Sequence, residues 1–345
     1  VSRLQIGLLV SAAALGAGLW ALGVVDGAQL AIGIALVVVG ADWLVEGSAK
    51  IARGLGVSSF IVGLSVVAFG TSAPELAAGI RAALDNESDL VTGNVVGSNI
   101  ANVCLILGLT AVLRPVPCQS MIVRKDVPIM IGITIMGMAF MATERSVSRT
   151  EGIILTAGVV LYSLMLLLIG RSEQKSVSAE LEQQLEQMVG PIKSERSALW
   201  KNLGAVLLGV VALAYGSSIL VDGATGLAGR LGVPNGVIGL SLIAFGTSVP
   251  ELMTSLSAAW KRESDIAVGN ILGSNCFNIL AVLGISSLVA PLVTGPGMIR
   301  RDMWLMLGVS IACLPVMGSW GRITRTEGAV LLSVYVGYMW LIFAE

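Results

Sequence analysis

Two glutamates stand alone in long apolar runs. From Phe60 to Ile80 the only charged residue is Glu75, and from Gly236 to Trp260 it is Glu251. Each run is long enough to span a bilayer, and an acidic side chain at that depth costs roughly 2.5–3.5 kcal/mol even on insertion scales. Neither run holds a Lys or Arg near its middle, so a bound cation is the simplest compensation; pairing with a distant base is the structural alternative. Thr71 and Ser72 precede Glu75 by four and three positions, and Thr247 and Ser248 precede Glu251 likewise, so each trio can share a helix face. Gly-Ser-Asn-x-x-Asn follows each time, with Ser98 four before Asn102 and Ser274 four before Asn278. The oxygen-only set suits Na⁺, Ca²⁺ or Mg²⁺ rather than zinc, copper or iron.

The backbone around the glutamates bears on the same chemistry. Pro74 and Pro250 have no N–H to give the carbonyls of Gly70 and Gly246. Carbonyls around Ala68–Thr71 and Ala244–Thr247 are therefore expected to lose helical partners and become available to a hard cation. Each position has a plainer reading as well. The hydroxyls of Thr71, Ser72, Thr247 and Ser248 can bond back to the preceding turn. Asn102 and Asn278 can serve only to tie helices together, and Asn99 and Asn275, off the ligand face, are expected to do that.

These groups need elements to hold them at depth. The chain of 345 residues is 55% hydrophobic and only 12% charged, where soluble domains carry about a quarter charged residues. That is the composition of an integral membrane protein. There is no histidine, which removes His-ligated metals and any Ser-His or Cys-His nucleophile. The four scattered cysteines read as small apolar residues, and nothing calls for a cofactor, a nucleic acid or an obligatory protein partner.

Apolar runs predict eleven helices, near 4–24, 28–49, 58–83, 92–113, 127–143, 150–170, 198–221, 235–260, 268–290, 303–318 and 327–343. Between Gly63–Gly108 and Gly239–Gly284, 24 of 46 ungapped positions are identical. At the same offset of 176 residues, Asp126 matches Asp302 and Glu151-Gly152 matches Glu327-Gly328. The expectation is an all-α integral membrane protein, an inverted-topology repeat of 5+5 transmembrane helices with one extra N-terminal helix at residues 1–26. The repeats cover 27–170 and 198–345, and 171–197 form a cytoplasmic linker. Five spans per unit force the second copy to enter from the other side, as in many secondary transporters. With the N-terminus inside, 15 Lys/Arg fall on the inner face and six on the outer, the expected bias. The chain is then a multi-pass protein of the plasma (inner) membrane, its C-terminus outside.

Gly-Thr-Ser-x-Pro-Glu followed by Gly-Asn-x-x-Gly-Ser-Asn-x-x-Asn, present twice, closely resembles the α-repeats of the cation/Ca²⁺ antiporter superfamily, and its prokaryotic sodium/calcium exchangers most of all. The resemblance covers nearly the whole chain from about residue 28. It implies Glu75 and Glu251 as central acidic ligands and Asn102 as an amide ligand. It also implies Thr71, Ser72, Ser98, Thr247, Ser248 and Ser274 as hydroxyl ligands, and the Ala68 and Ala244 carbonyls as sodium ligands. The described exchangers have Asp where this chain has Asn278. The site then carries a formal charge of −2, which one Ca²⁺ or two Na⁺ neutralise. The implied activity is Ca²⁺/Na⁺ antiport, with a Ca²⁺/H⁺ or K⁺-coupled exchanger as the alternative. An intramembrane enzyme lacks a base here, and a passive channel fits paired inverted sites less well than a carrier.

Overall fold

A computed structural model describes residues 25–185, 196–231 and 244–344. The helix expected at 4–24 and the first part of the one expected at 235–260 lie outside them. The described residues form ten helices: α1 (Val25–Leu55), α2 (Ser59–Leu84), α3 (Ser88–Leu113), α4 (Ile122–Ala142), α5 (Arg149–Leu185), α6 (Arg196–Arg230), α7 (Ala244–Thr247 and Val249–Trp260), α8 (Ser264–Val289), α9 (Met298–Gly318) and α10 (Arg325–Ala344). Eight are long and apolar enough by themselves to cross a membrane. Lipid offers the backbone no hydrogen-bond partners, so a spanning segment must satisfy itself as a helix. The connector after residue 170 is less separate than expected, because α5 runs on to Leu185.

Helix bounds recur at the offset of the repeat. Ala73–Leu84, the second part of α2, matches Val249–Trp260, and α3 matches α8 end to end. Even the caps repeat. At the start of α5 the Ser148 N–H donates to Glu151 Oε2 at 2.7 Å, while the Glu151 N–H donates to Ser148 Oγ at 3.3 Å. At the start of α10, Thr324 and Glu327 make the same reciprocal pair at 2.8 and 3.3 Å. These capping boxes explain why Glu151 and Glu327 recur in the sequence.

Four two-residue strands show how the halves lie. β1 (Val116–Pro117) follows α3, and β2 (Ser146–Val147) follows α4; β3 (Leu292–Val293) and β4 (Arg322–Ile323) hold the same places after α8 and α9. β1 pairs antiparallel with β4, and β2 with β3. α4 separates β1 from β2 by one membrane crossing, so they sit on opposite faces. Pairing β2 with β3 therefore puts equivalent turns of the two halves on opposite sides. The halves are inverted.

Burial grades from the centre outward. α8 is buried along its length and α3 nearly so. α5 and α10 turn Leu161, Leu167, Leu168, Val330 and Val336 outward, and Trp260, Trp304, Trp320 and Trp340 are exposed near helix ends, where indole rings anchor at the headgroup level. α1 crosses α6 at backbone contact: a Cβ added at Gly209 would lie 2.7 Å from the Leu44 nitrogen and 2.8 Å from the Gly40 carbonyl oxygen. α8 meets α2 as closely, since a Cβ at Gly273 would lie 2.5 Å from the Leu64 carbonyl. Small residues are what permit such approach between helices in lipid.

Candidate cation site

α2 does not run straight through the Gly-Thr-Ser-Ala-Pro-Glu segment. It carries a π-helical turn at Gly63–Val67, then breaks at Ser72, whose φ of −84° and ψ of 2° leave the helical region. Ser248 breaks α7 with φ −90° and ψ 2°. Pro74 and Pro250 sit in the first turns of the new helices, where a missing N–H costs nothing. Glu75 and Glu251 thus stand in the first turns of helices that begin inside the protein, where the aligned peptide dipoles favour negative charge.

The expectation of freed carbonyls is corrected at Ala68. Its oxygen accepts the Ser72 N–H at 2.9 Å, an ordinary helical bond that Pro74, which faces the Gly70 carbonyl, does not disturb, and the Thr71 hydroxyl lies 3.3 Å away. Ala244 opens the described part of α7.

Side chains from both halves meet at this level. Ser72 Oγ donates to Glu251 Oε1 at 3.1 Å, across the two halves. Ser72 lies three residues before Glu75, so this bond draws Glu251 of one half toward the helical turn that carries Glu75 of the other. Thr71 Oγ1 lies 3.0 Å from Asn270 Oδ1, to which it donates, and 3.5 Å from Ser274 Oγ. Ser248 Oγ donates to Ser98 Oγ at 3.3 Å, and Thr247 Oγ1 to Asn94 Oδ1 at 3.2 Å. The predicted Glu75, Glu251, Thr71, Ser72, Ser98, Ser248, Ser274, Asn102 and Asn278 are all buried, both glutamates to 1% exposure; Thr247 is half-buried.

Among the carboxyl and amide side chains gathered here, four carry acceptor atoms that no donor meets. Both oxygens of Glu75, Oε2 of Glu251, Oδ1 of Asn102 and Oδ1 of Asn278 are buried without a hydrogen bond. Buried polar atoms are rarely left so. Every one of the five is an acceptor, and the ion pairs found among the described residues involve neither glutamate. A desolvated cage of oxygens with two carboxylates and no internal positive charge can hold a hard cation. A cavity of about 300 Å³ between the ends of α3 and α7, lined by Thr110, Arg114, Leu256 and Trp260, contains none of these groups.

Sequence reasoning missed Asn94 and Asn270. Asn270 is fully buried and bridges α7 to α2, donating to the Glu251 carbonyl at 3.3 Å and to Ser255 Oγ at 3.1 Å while accepting from Thr71. The repeated Gly-Asn of the motif was the available signal. Asn99 and Asn275, expected to pack helices, do join α3 to α8, but through the amides of Asn278 and Asn102 themselves.

An inverted pair of broken helices presenting acids and amides at mid-membrane defines a secondary transporter for cations, a membrane antiporter and not an enzyme. The chain belongs to the sodium/calcium exchanger protein family, whose model matches residues 27–169 and 201–344. It is 36% identical over 285 residues to inner membrane protein YrbG of Escherichia coli, covering 82% of this chain and 86% of that one. Sodium/calcium exchanger MaX1 of Methanosarcina acetivorans is 32% identical over 340 residues, covering 91% and 97%. Among solved structures, the sodium-calcium exchanger NCX_Mj soaked with 10 mM Na⁺ and no Ca²⁺ superposes with a TM-score of 0.77 at 27% identity, over 91% of this chain and 97% of that one.

Proposed function

We propose that this antiporter exchanges Ca²⁺ for Na⁺ by alternating access, with both ions taking turns at the buried oxygens between the two halves. Glu75 and Glu251 supply the charge, Asn102 and Asn278 the amide oxygens, Thr71, Ser72, Ser98, Thr247, Ser248 and Ser274 the hydroxyls, and Ala68 and Ala244 their carbonyls, Ala68 once its bond to the Ser72 N–H opens. The observation that carries the reading is the set of five orphaned buried acceptors. The family membership and the printed names of MaX1 and NCX_Mj support Ca²⁺ and Na⁺ as the substrates. Two carboxylates brought together without a cation repel, so the halves close only around bound ions, which is the differential stabilisation that coupled exchange requires.

The test is radiolabelled Ca²⁺ uptake into proteoliposomes driven by an outward Na⁺ gradient. Glu75→Gln and Glu251→Gln should each lower uptake by more than roughly 100-fold, the upper cost of disturbing even a residue that merely supports a metal ligand. Uptake retained in either variant removes the site from the mechanism. Uptake driven by a pH gradient in sodium-free buffer passes the counter-ion role to the proton.

A further inference from the structure

Asn102 and Asn278 can help a cation only if each presents its oxygen, and nothing within an amide decides which end faces the site. We propose that Asn99, Asn275, Met130 and Met306 make that decision, as two crossed chains of hydrogen bonds that fix the polarity of the ligand amides. The proposal rests on the cation-site reading above and deepens it.

In one chain, Asn278 Nδ2 on α8 donates to Asn99 Oδ1 on α3 at 3.1 Å. Asn99 Nδ2 in turn lies 3.7 Å from Met306 Sδ on α9 and 3.3 Å from the Asn275 carbonyl oxygen, to both of which it donates. In the other, Asn102 Nδ2 on α3 donates to Asn275 Oδ1 on α8 at 2.9 Å, and Asn275 Nδ2 faces Met130 Sδ on α4 at 3.6 Å. Met130 and Met306 are equivalent positions of the repeat and both are fully buried. All four asparagines are 1% exposed.

A thioether sulfur can accept a weak hydrogen bond and can never donate one. Each methionine therefore accepts the NH₂ end of its asparagine and repels the oxygen end. That asparagine must then turn its own oxygen to the next amide, which answers with NH₂. The last oxygen in each chain, Oδ1 of Asn102 or of Asn278, is left facing no donor. Reversing any one amide would set two NH₂ groups or two oxygens against each other. The polarity set by a sulfur in one half thus reaches the cation through an amide of each half: Met306–Asn99–Asn278 and Met130–Asn275–Asn102. Asn99, Asn275 and both methionines are positioning residues; none touches the ion.

A carboxylate in place of the ligand amide needs no such instruction, because both its ends accept. Asn99→Leu should weaken Ca²⁺ binding to the purified protein about tenfold, the lower bound for losing a group that orients a metal ligand. The same change in an Asn278→Asp background should cost less than about threefold, since a carboxylate at that position presents oxygen either way. Met306→Leu, which keeps volume and removes only the acceptor, should shift affinity in the same direction by less, and not at all beside Asn278→Asp. Isothermal titration with Ca²⁺ reads all of these, with Na⁺-driven uptake by the unchanged protein as the control. Equal losses in both backgrounds, or no loss in either, overturn the polarity chains while leaving the transport function standing. If the unchanged protein neither binds Ca²⁺ nor exchanges it, the underlying reading fails instead.

Discussion

At the scale of single residues, the site is defined by acceptors without donors. Protons compete with cations for such oxygens, because a protonated carboxyl loses both its charge and one acceptor. The sign follows directly: in the proposed site it is the ionised glutamates that hold Ca²⁺, so lowering the pH should raise the Ca²⁺ KM of Na⁺-driven uptake. A KM unchanged through the acid range would place the ion elsewhere. The three- and four-residue spacings that put Glu75, Glu251, the hydroxyls, Asn102 and Asn278 on shared helix faces were legible in the sequence, and the structure buries these residues, Thr247 only partly. The relation of Asn99 to Asn278 was not legible, since it depends on how α3 and α8 face each other, and spacing along a single helix does not encode that. Nor does the steric effect of proline reach Ala68, whose carbonyl keeps its ordinary helical partner in the Ser72 N–H because the N–H that Pro74 lacks would have met Gly70.

At the scale of elements, helices that approach at backbone contact are the ones that small residues allow. The α1–α6 crossing at Gly40 and Gly209 has no room for a side chain. Gly209→Leu should destabilise the protein by about 1–3 kcal/mol or more, as overpacking does, and a lowered melting point in detergent would show it. An unchanged melting point would mean that the two helices do not pack this way in solution. α1 is also tied to α7 at one end, where Ser257 Oγ donates to Asp42 Oδ1 at 2.6 Å and Lys261 Nζ lies 3.3 Å from the same oxygen. Most helices were readable to within a few residues from apolar runs ended by charge, Gly or Pro. Pro74 and Pro250 signalled disturbed backbone near Ser72 and Ser248, but the π-turns were hidden, because hydropathy is blind to how a helix is wound. The four strands were equally hidden, each being two residues long and defined by a partner about 145 to 207 positions away.

At the scale of the whole molecule, the repeat and the inversion were both present in the sequence, as matching segments with an odd number of spans between them. Orientation in the membrane follows only from the Lys/Arg bias, and it makes a prediction: a cysteine placed at Ala344 should react with an impermeant maleimide added from outside. Labelling solely after permeabilisation would reverse the topology. The native thiols leave such a readout clean. Cys104, Cys118, Cys276 and Cys313 are all buried, and burial pushes the Cys118 thiol, in the turn between α3 and α4, up to about 12, so little of it is in the reactive form.

The exchanged strands have a consequence for what half of this chain could be. A polypeptide ending after α5 would expose Val116–Pro117 at one bilayer surface and Ser146–Val147 at the other, each lacking its ladder, and would own only one of the two buried mid-span glutamates. Only a second copy inserted upside down could supply both missing strands, the second acid and the reciprocal amides together. The geometry therefore describes a tethered antiparallel dimer, in which gene duplication would have fixed as one chain what two oppositely oriented copies could once have built by association.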